Sequence, residues 1–221
     1  MENVQGRSTV NKAKEKISKI KEGLAYHIVD STALLAPTHP IFSAMEVGVY
    51  GMSDKVSIDS RLLVTGLTYA GLGSAFTKGR DLSRRLFKIT GKTRETIQNF
   101  HDSAYTFVFN SIAMPPIYLS MGASVKEAVI GGLAAGALGI ATGPIMGYSA
   151  DVARDLIGLK ECNRTSYPNV IKRQKPFVKK GLARLLVVSS LVAMAGIYAL
   201  TNNNQEISSY NSQGIEQVVS E

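Results

Sequence analysis

Asp30, Glu46, Arg61, Asp102 and Asp151 are ionisable residues set within or beside long apolar stretches of a 221-residue chain. A charge at the centre of a hydrocarbon layer costs about 2.5–3.5 kcal/mol on insertion scales, so such groups need partners or a task. Asp30 and Asp102 can each take up a proton or an ammonium group. Arg61 can hold a carboxylate through two parallel N–H bonds, or can neutralise Glu46. Sixteen residues separate Asp30 from Glu46, about 24 Å along a helix, so one ionisable layer falls near each end of a span. Pro115 and Pro116 are expected to break or kink their helix and free carbonyls for a polar ligand. Asn110 and Tyr118 flank that point and are candidate pore-lining groups. The same charges have a structural reading as salt bridges fixing a bundle. For Arg80, Asp81, Arg154 and Asp155, anchoring at the membrane interface is expected. His27, His39 and His101 read as packing residues, with His39, between Pro37 and Pro40, able to titrate.

The elements that must position these groups are helices. Residues 103–125 and 128–150 each lack a charge, as do residues 185–205. A helix of about 20 residues crosses a hydrocarbon core of about 30 Å. The mean hydropathy of +0.05 is low for a membrane protein, but long basic connections and a polar tail account for it. Five spans are expected: Leu24–Tyr50, Ser60–Thr77, Asp102–Met121, Lys126–Leu156 and Leu182–Leu200. Of 25 Lys and Arg, 22 fall before the first span, between the second and third, or between Arg154 and Arg184. That asymmetry puts those segments and the N-terminus in the cytoplasm, and the C-terminus outside if the fifth span inserts. The tail Val10–Leu24 spaces Ile17, Ile20 and Leu24 between lysines, a pattern suited to anionic membrane lipid. Topology explains the basic charge without nucleic acid, and no cleavable signal peptide is evident.

Spans one and two resemble spans three and four. Asp30-Ser31 and Asp102-Ser103 open the two pairs. Gly51-Met52-Ser53 and Gly122-Ala123-Ser124 mark their external turns, and Arg80-Asp81-Leu82 and Arg154-Asp155-Leu156 close them. The fold expected is all-α: a polytopic membrane bundle of two tandem helical hairpins about a pseudo-twofold along the membrane normal, with one appended helix. Its parts are a basic amphipathic cytoplasmic tail (1–23), a four-helix core (24–157, repeats 24–82 and 100–157), a basic cytoplasmic linker (158–181), a fifth helix (182–200) and a polar external tail (201–221). Gly131, Ala135, Gly139, Gly143 and Gly147 recur every four residues. Their nearly side-chain-free face suits close helix packing, within the chain or in a homodimer. Cys162 is the one cysteine, so an intrachain disulfide and a thiolate metal cluster are excluded. Neither a nucleotide-binding loop nor a nucleophile–base pair is visible, so neither an enzyme nor a cofactor is expected, and transport would be driven by an ion gradient.

Residues 30–155 resemble the bacterial L-alanine exporter family of small four-helix inner-membrane proteins. The similar text is Asp30-Ser-Thr-Ala, Glu46-Val before Gly51-Met52-Ser53, Ser60-Arg61-Leu62, Arg80-Asp81-Leu82, Asp102, Pro116-Ile-Tyr118, and Gly147-Tyr148 with Asp151 and Arg154. The resemblance implies export of a small amino acid such as L-alanine across the cell membrane against protons, with Asp30, Glu46, Arg61, Asp102 and Asp151 on the family's polar positions. The alternative expectation is a non-transporting membrane scaffold or assembly protein in which those charges only hold helices together.

Overall fold

A computed structural model describes the backbone of residues 2–49, 51–120, 122 and 124–219, and the side chains of 14–201 within those limits. The side chains of the tails before Lys14 and after Thr201, and Ala123 of the second expected turn, lie outside the described residues. Every regular element among the described residues is helical: α1 (Glu2–Gly48), α2 (Asp54–Leu67), a π segment (Thr68–Leu72), α3 (Gly73–Leu86), α4 (Glu95–Ser120), α5 (Val125–Ile157), the short α6 (Asn169–Lys172) and α7 (Pro176–Val219).

Two helical stretches among the described residues are long and apolar enough to cross a membrane, Val125–Ile157 and Pro176–Thr201. The other three expected spans do not meet that standard: the second is divided by the π segment, and hydroxyl, amide and proline residues dilute the apolar character of the first and third. Two boundaries also differ from expectation. The basic tail forms no separate element but is the first half of α1, a helix of 47 residues. At the other end, the α7 backbone stays helical past the expected polar tail boundary.

The α1–α2 and α4–α5 turns are built alike. Gly51 (φ 64°) and Gly122 (φ 91°) adopt left-handed backbone that disfavours a side chain. Ser53 and Ser124 then cap the next helix, each hydroxyl accepting a backbone N–H. Glu127 returns the bond to Ser124 N–H at 2.8 Å, completing a capping box.

Proline and the π segment remove helical hydrogen bonds, and neighbouring hydroxyls replace them. Pro40 cannot donate to Ala36 O, and Ser190 of α7 does so at 2.5 Å. Pro144 leaves Ile140 O, which Ser103 of α4 reaches at 2.8 Å. In the π segment, where Gly71 has φ 137°, Tyr69 O lies 2.8 Å from His27 Nε2 and Thr68 O accepts from Ser31. This interhelical repair is what apolar surroundings demand of a broken helix. The break expected at Pro115 and Pro116 is absent: α4 runs through both. The Pro115 ring seats against Gly132, where an added Cβ would lie 2.6 Å from it, so the prolines fill a groove and open no gap.

The helices α4 and α5 share the most extensive interface, while α1 packs on α5, α7 and α3. The glycine face of α5 forms the seam with α4. A Cβ on Gly131 would approach the Tyr118 ring to 2.9 Å, one on Gly139 would reach Thr106 at 2.9 Å, and one on Gly143 would reach Asp102 O at 2.5 Å. Gly147 lies against the Asp102 carboxylate. The expected close packing is thus made inside the chain, which leaves no room at that seam for a second copy.

Burial is inverted relative to a water-soluble domain. The largest fully buried side chains are all polar, led by Arg80, Arg164, Thr77, Thr106 and Asp102. Leu185, Leu186, Leu191 and Val192 of α7 are exposed, and none of the apolar window of that helix is buried.

Candidate functional site

The buried polar groups form two layers. The larger lies at the end of the bundle that carries the α3–α4 connection and the α5–α7 linker. Four aspartates and four arginines alternate there, so the charges balance. Arg154 of α5 donates from Nε and Nη2 to the two Asp30 oxygens of α1, both at 2.7 Å. Its Nη1 donates to Asp81 of α3 at 2.7 Å. Arg80 of α3 donates to Asp151 of α5 at 2.6 Å and to Gly147 O at 2.6 Å, and lies 3.3 Å from Asp81. Arg84 holds both Asp102 oxygens of α4 at 2.9 and 2.6 Å and reaches Asp151 at 3.1 Å. Helical spacing explains this delivery: Thr77, Arg80, Asp81 and Arg84 recur three or four residues apart and share one face of α3.

The eighth charge comes from the linker. Arg164, buried to 1% exposure, donates to Asp102 at 2.6 Å, to Asp151 at 2.8 Å and to Asn99 at 2.8 Å. The linker is itself tied down: Ser166 bonds Glu95 at the start of α4, while Tyr167 and Lys179 both donate to Asp155. Burial and the Asp155 carboxylate push the Tyr167 hydroxyl above its ordinary range. Burial also raises the Cys162 thiol, which keeps it protonated and unreactive near neutrality.

The second layer lies near the α1–α2 turn. Arg61 of α2 pairs with Glu46 of α1, and Ser57 donates to the other Glu46 oxygen at 2.7 Å. Tyr198 of α7 joins it, with its hydroxyl 2.9 Å from both Ser57 and Ser43. His39 Nε2 lies 2.8 Å from Thr65 Oγ1, whose own proton goes to Arg61 O. That arrangement assigns the proton to Nε2 and leaves Nδ1 an acceptor. His39 Nδ1 and Arg61 Nε are buried without partners.

Asp30, Asp102 and Asp151 therefore meet in one network, and Glu46 and Arg61 in the other. Asn110 and Tyr118 join neither. The Asn110 amide donates to Ala135 O at 3.2 Å and the Tyr118 ring covers Gly131, so both serve the α4–α5 seam. Arg80 and Arg154, read as interfacial anchors, are instead among the most buried side chains, at 0% and 3% side-chain exposure. Arg84, Arg164, Thr77 and Tyr198 are further members with no part in the sequence reading. Thr77 had a signal, since it stands at the repeat position of Asp151 and bonds Asp30 at 2.7 Å. Arg164 had none beyond its charge.

Comparison with models of known protein families, with curated proteins and with solved structures finds no match to this chain. Among the described residues no group of His, Cys, Asp and Glu is placed to hold a metal ion.

Proposed function

We propose that this chain is a multi-pass cell-membrane protein that exports a small amino acid, L-alanine or a near relative, in exchange for protons. The observation that carries the reading is the direction in which the Asp–Arg network runs. Taking α1 to α3 as one hairpin and α4 with α5 as the other, five of the eight Asp–Arg pairs cross between them: Arg154 to Asp30 and Asp81, Arg80 to Asp151, and Arg84 to Asp102 and Asp151. In the other polar layer, Glu46 and Arg61 belong to one hairpin. One end of the bundle is thus bolted across the repeat interface by charge and the other is not, as alternating access needs of a closed inner gate. A balanced network can part and re-form without stranding net charge.

Further support comes from the duplication. Ser31 bonds Thr68 O where the π segment interrupts its helix, and Ser103 bonds Ile140 O where Pro144 does. Both partners are displaced by the same number of residues, so the helix defects and their repairs are repeated with the sequence motifs. Polar burial, apolar exposure and hydroxyl repair of broken helices favour lipid surroundings for more than the two most apolar helices. The excess of Lys and Arg in the basic connections favours a cytoplasmic side for the charged network. Asp30 and Asp102 then serve as proton or ammonium sites released when the gate opens, and Arg61 as the carboxylate site of the outer layer.

Efflux of a panel of radiolabelled amino acids from loaded proteoliposomes tests this. Wild-type chain is expected to release L-alanine, and Asp30→Asn and Arg61→Ala to abolish release while still inserting. Wild-type efflux from both variants would remove those assignments.

The alternative is a non-transporting scaffold. It is favoured by the saturation of the carboxylates, since Asp30, Asp102 and Asp151 each already accept two or more short bonds. That reading predicts no amino-acid efflux and a protein partner retained by the basic linker.

A further inference from the structure

A cavity of about 170 Å³ opens beside the charged network, between the α3–α4 connection and the linker after α5. The space is open to solvent on one side and suits a small polar solute. The Gly91 backbone closes one side against Asn163, where an added Cβ would lie 2.5 Å from the Asn163 Cβ.

The inner wall is made of network members: Asp81, Arg84, Asp151 and Arg164. Arg84 and Arg164 share Asp151, while Asp81 is held by Arg154 and Arg80. The rim adds Arg85, Lys160 and Glu161, and none of these three makes a salt bridge among the described residues. The cavity mouth therefore offers two cations and one anion outside close ion pairs, above a charge-balanced floor. A small anion alone would leave Glu161 opposed, and an amine alone would face both cations. A zwitterion satisfies the whole set.

From this arrangement we infer that the cavity is a binding site for the zwitterionic head of a small α-amino acid. The carboxylate lies toward Arg85 and Lys160, and the ammonium toward Glu161. The direction of traffic rests on the exporter reading; binding itself does not. As that reading requires, the bound carboxylate stands next to Arg84 and Arg164, the arginines that hold Asp102. It can compete with the Asp102 and Asp151 carboxylates for them, so loading from the basic end weakens the bolts across the repeat interface. Ile89 and Cys162 are the least polar lining side chains, and the rim residues Arg85, Lys160 and Glu161 are exposed. Affinity in the millimolar range is the expectation, as salt bridges at exposed rims contribute little.

The test is ligand binding by the full chain in detergent micelles, read by isothermal titration at low ionic strength with four probes: L-alanine, acetate, methylamine and inorganic phosphate. L-Alanine is expected to bind at least tenfold more tightly than acetate or methylamine. Arg85→Ala with Lys160→Ala should weaken L-alanine at least tenfold, and Glu161→Gln should erase its advantage over acetate. Neither change removes a salt bridge of the buried network, and unchanged thermal unfolding checks that the fold is kept. Phosphate binding more tightly than L-alanine, or L-alanine binding unaltered by both variants, overturns the assignment. So does the absence of measurable binding. Efflux by a wild-type chain whose binding ignores these variants refutes this site and spares the exporter. Variant-sensitive binding without efflux does the reverse.

Discussion

Exchanging the charges of Asp30 and Arg154 probes the central bolt of the network. Both side chains are 3% exposed, and three charge-assisted bonds of 2.7 Å leave the Arg154 guanidinium. Arg154→Met strands the Asp30 carboxylate with only the Thr77 hydroxyl, and leaves Asp81 with Arg80 at 3.3 Å. Removing one partner of a buried pair typically costs about 3–5 kcal/mol, because the other charge stays buried and uncompensated. Since about 1.4 kcal/mol is tenfold, the unfolding equilibrium should shift by roughly a hundredfold or more. Asp30→Arg and Arg154→Asp should each be at least as damaging, since each sets like charges together. The double exchange keeps one charge of each sign between α1 and α5 and should recover half or more of the loss. Its coupling should reach about 3 kcal/mol. Helix content followed by circular dichroism through a mixed-micelle denaturation gives all four values. A single-variant loss under about 1 kcal/mol, or a double variant no better than the sum of its parts, would refute the claim that this pair holds the hairpins together.

Other expectations follow from local geometry. Gly143→Ala places a Cβ 2.5 Å from Asp102 O and 2.8 Å from the Ser103 Cα, both backbone, and should cost about 1–3 kcal/mol by forcing α4 and α5 apart. Gly196→Ala on α7 meets nothing within 4 Å and should be neutral or slightly stabilising in the same denaturation. Ser190→Ala removes the donor that replaces the Pro40 N–H; a loss of about 0.5–2 kcal/mol is expected, in line with interhelical hydrogen bonds in membranes. Cys162 is 2% exposed, and burial raises its thiol above the ordinary range. Maleimide labelling of the folded chain at pH 8 should therefore be at least about tenfold slower than of the denatured chain, with its onset at higher pH than for a free thiol.

The helical class was legible because uncharged runs of about 20 residues have few other uses, and α5 and α7 follow them. The first helix was harder. Its ionisable residues shorten the apolar run, and nothing in the pattern stops the helix between the basic tail and Asp30. The π segment has no distinctive residue type, since Gly71 sits among Gly66 and Gly73 and reads equally well as packing. The proline pair was misread because missing N–H groups predict a gap only where nothing fills it, and Gly132 lets Pro115 fill it. Among the charges, Glu46 and Arg61 were legible as a pair from the short turn that joins their helices. Asp30, Asp102 and Asp151 were legible as a layer, but their partners were not. Counting Lys and Arg by loop treats every linker cation as a topological marker, and only the fold-back after Gly158 makes Arg164 a buried ligand of two aspartates. Tyr198, the one tyrosine in the apolar stretch 185–200, is the clearest signal left unused.

The exchange of protons for an amino acid is tested most directly in proteoliposomes holding a pH-sensitive dye and no imposed pH gradient. An outward gradient of L-alanine is predicted to acidify the lumen as protons enter, with the signal lost in Asp30→Asn. L-Alanine gradients that move no protons through a correctly inserted wild-type chain would contradict the account and leave the scaffold reading in its place.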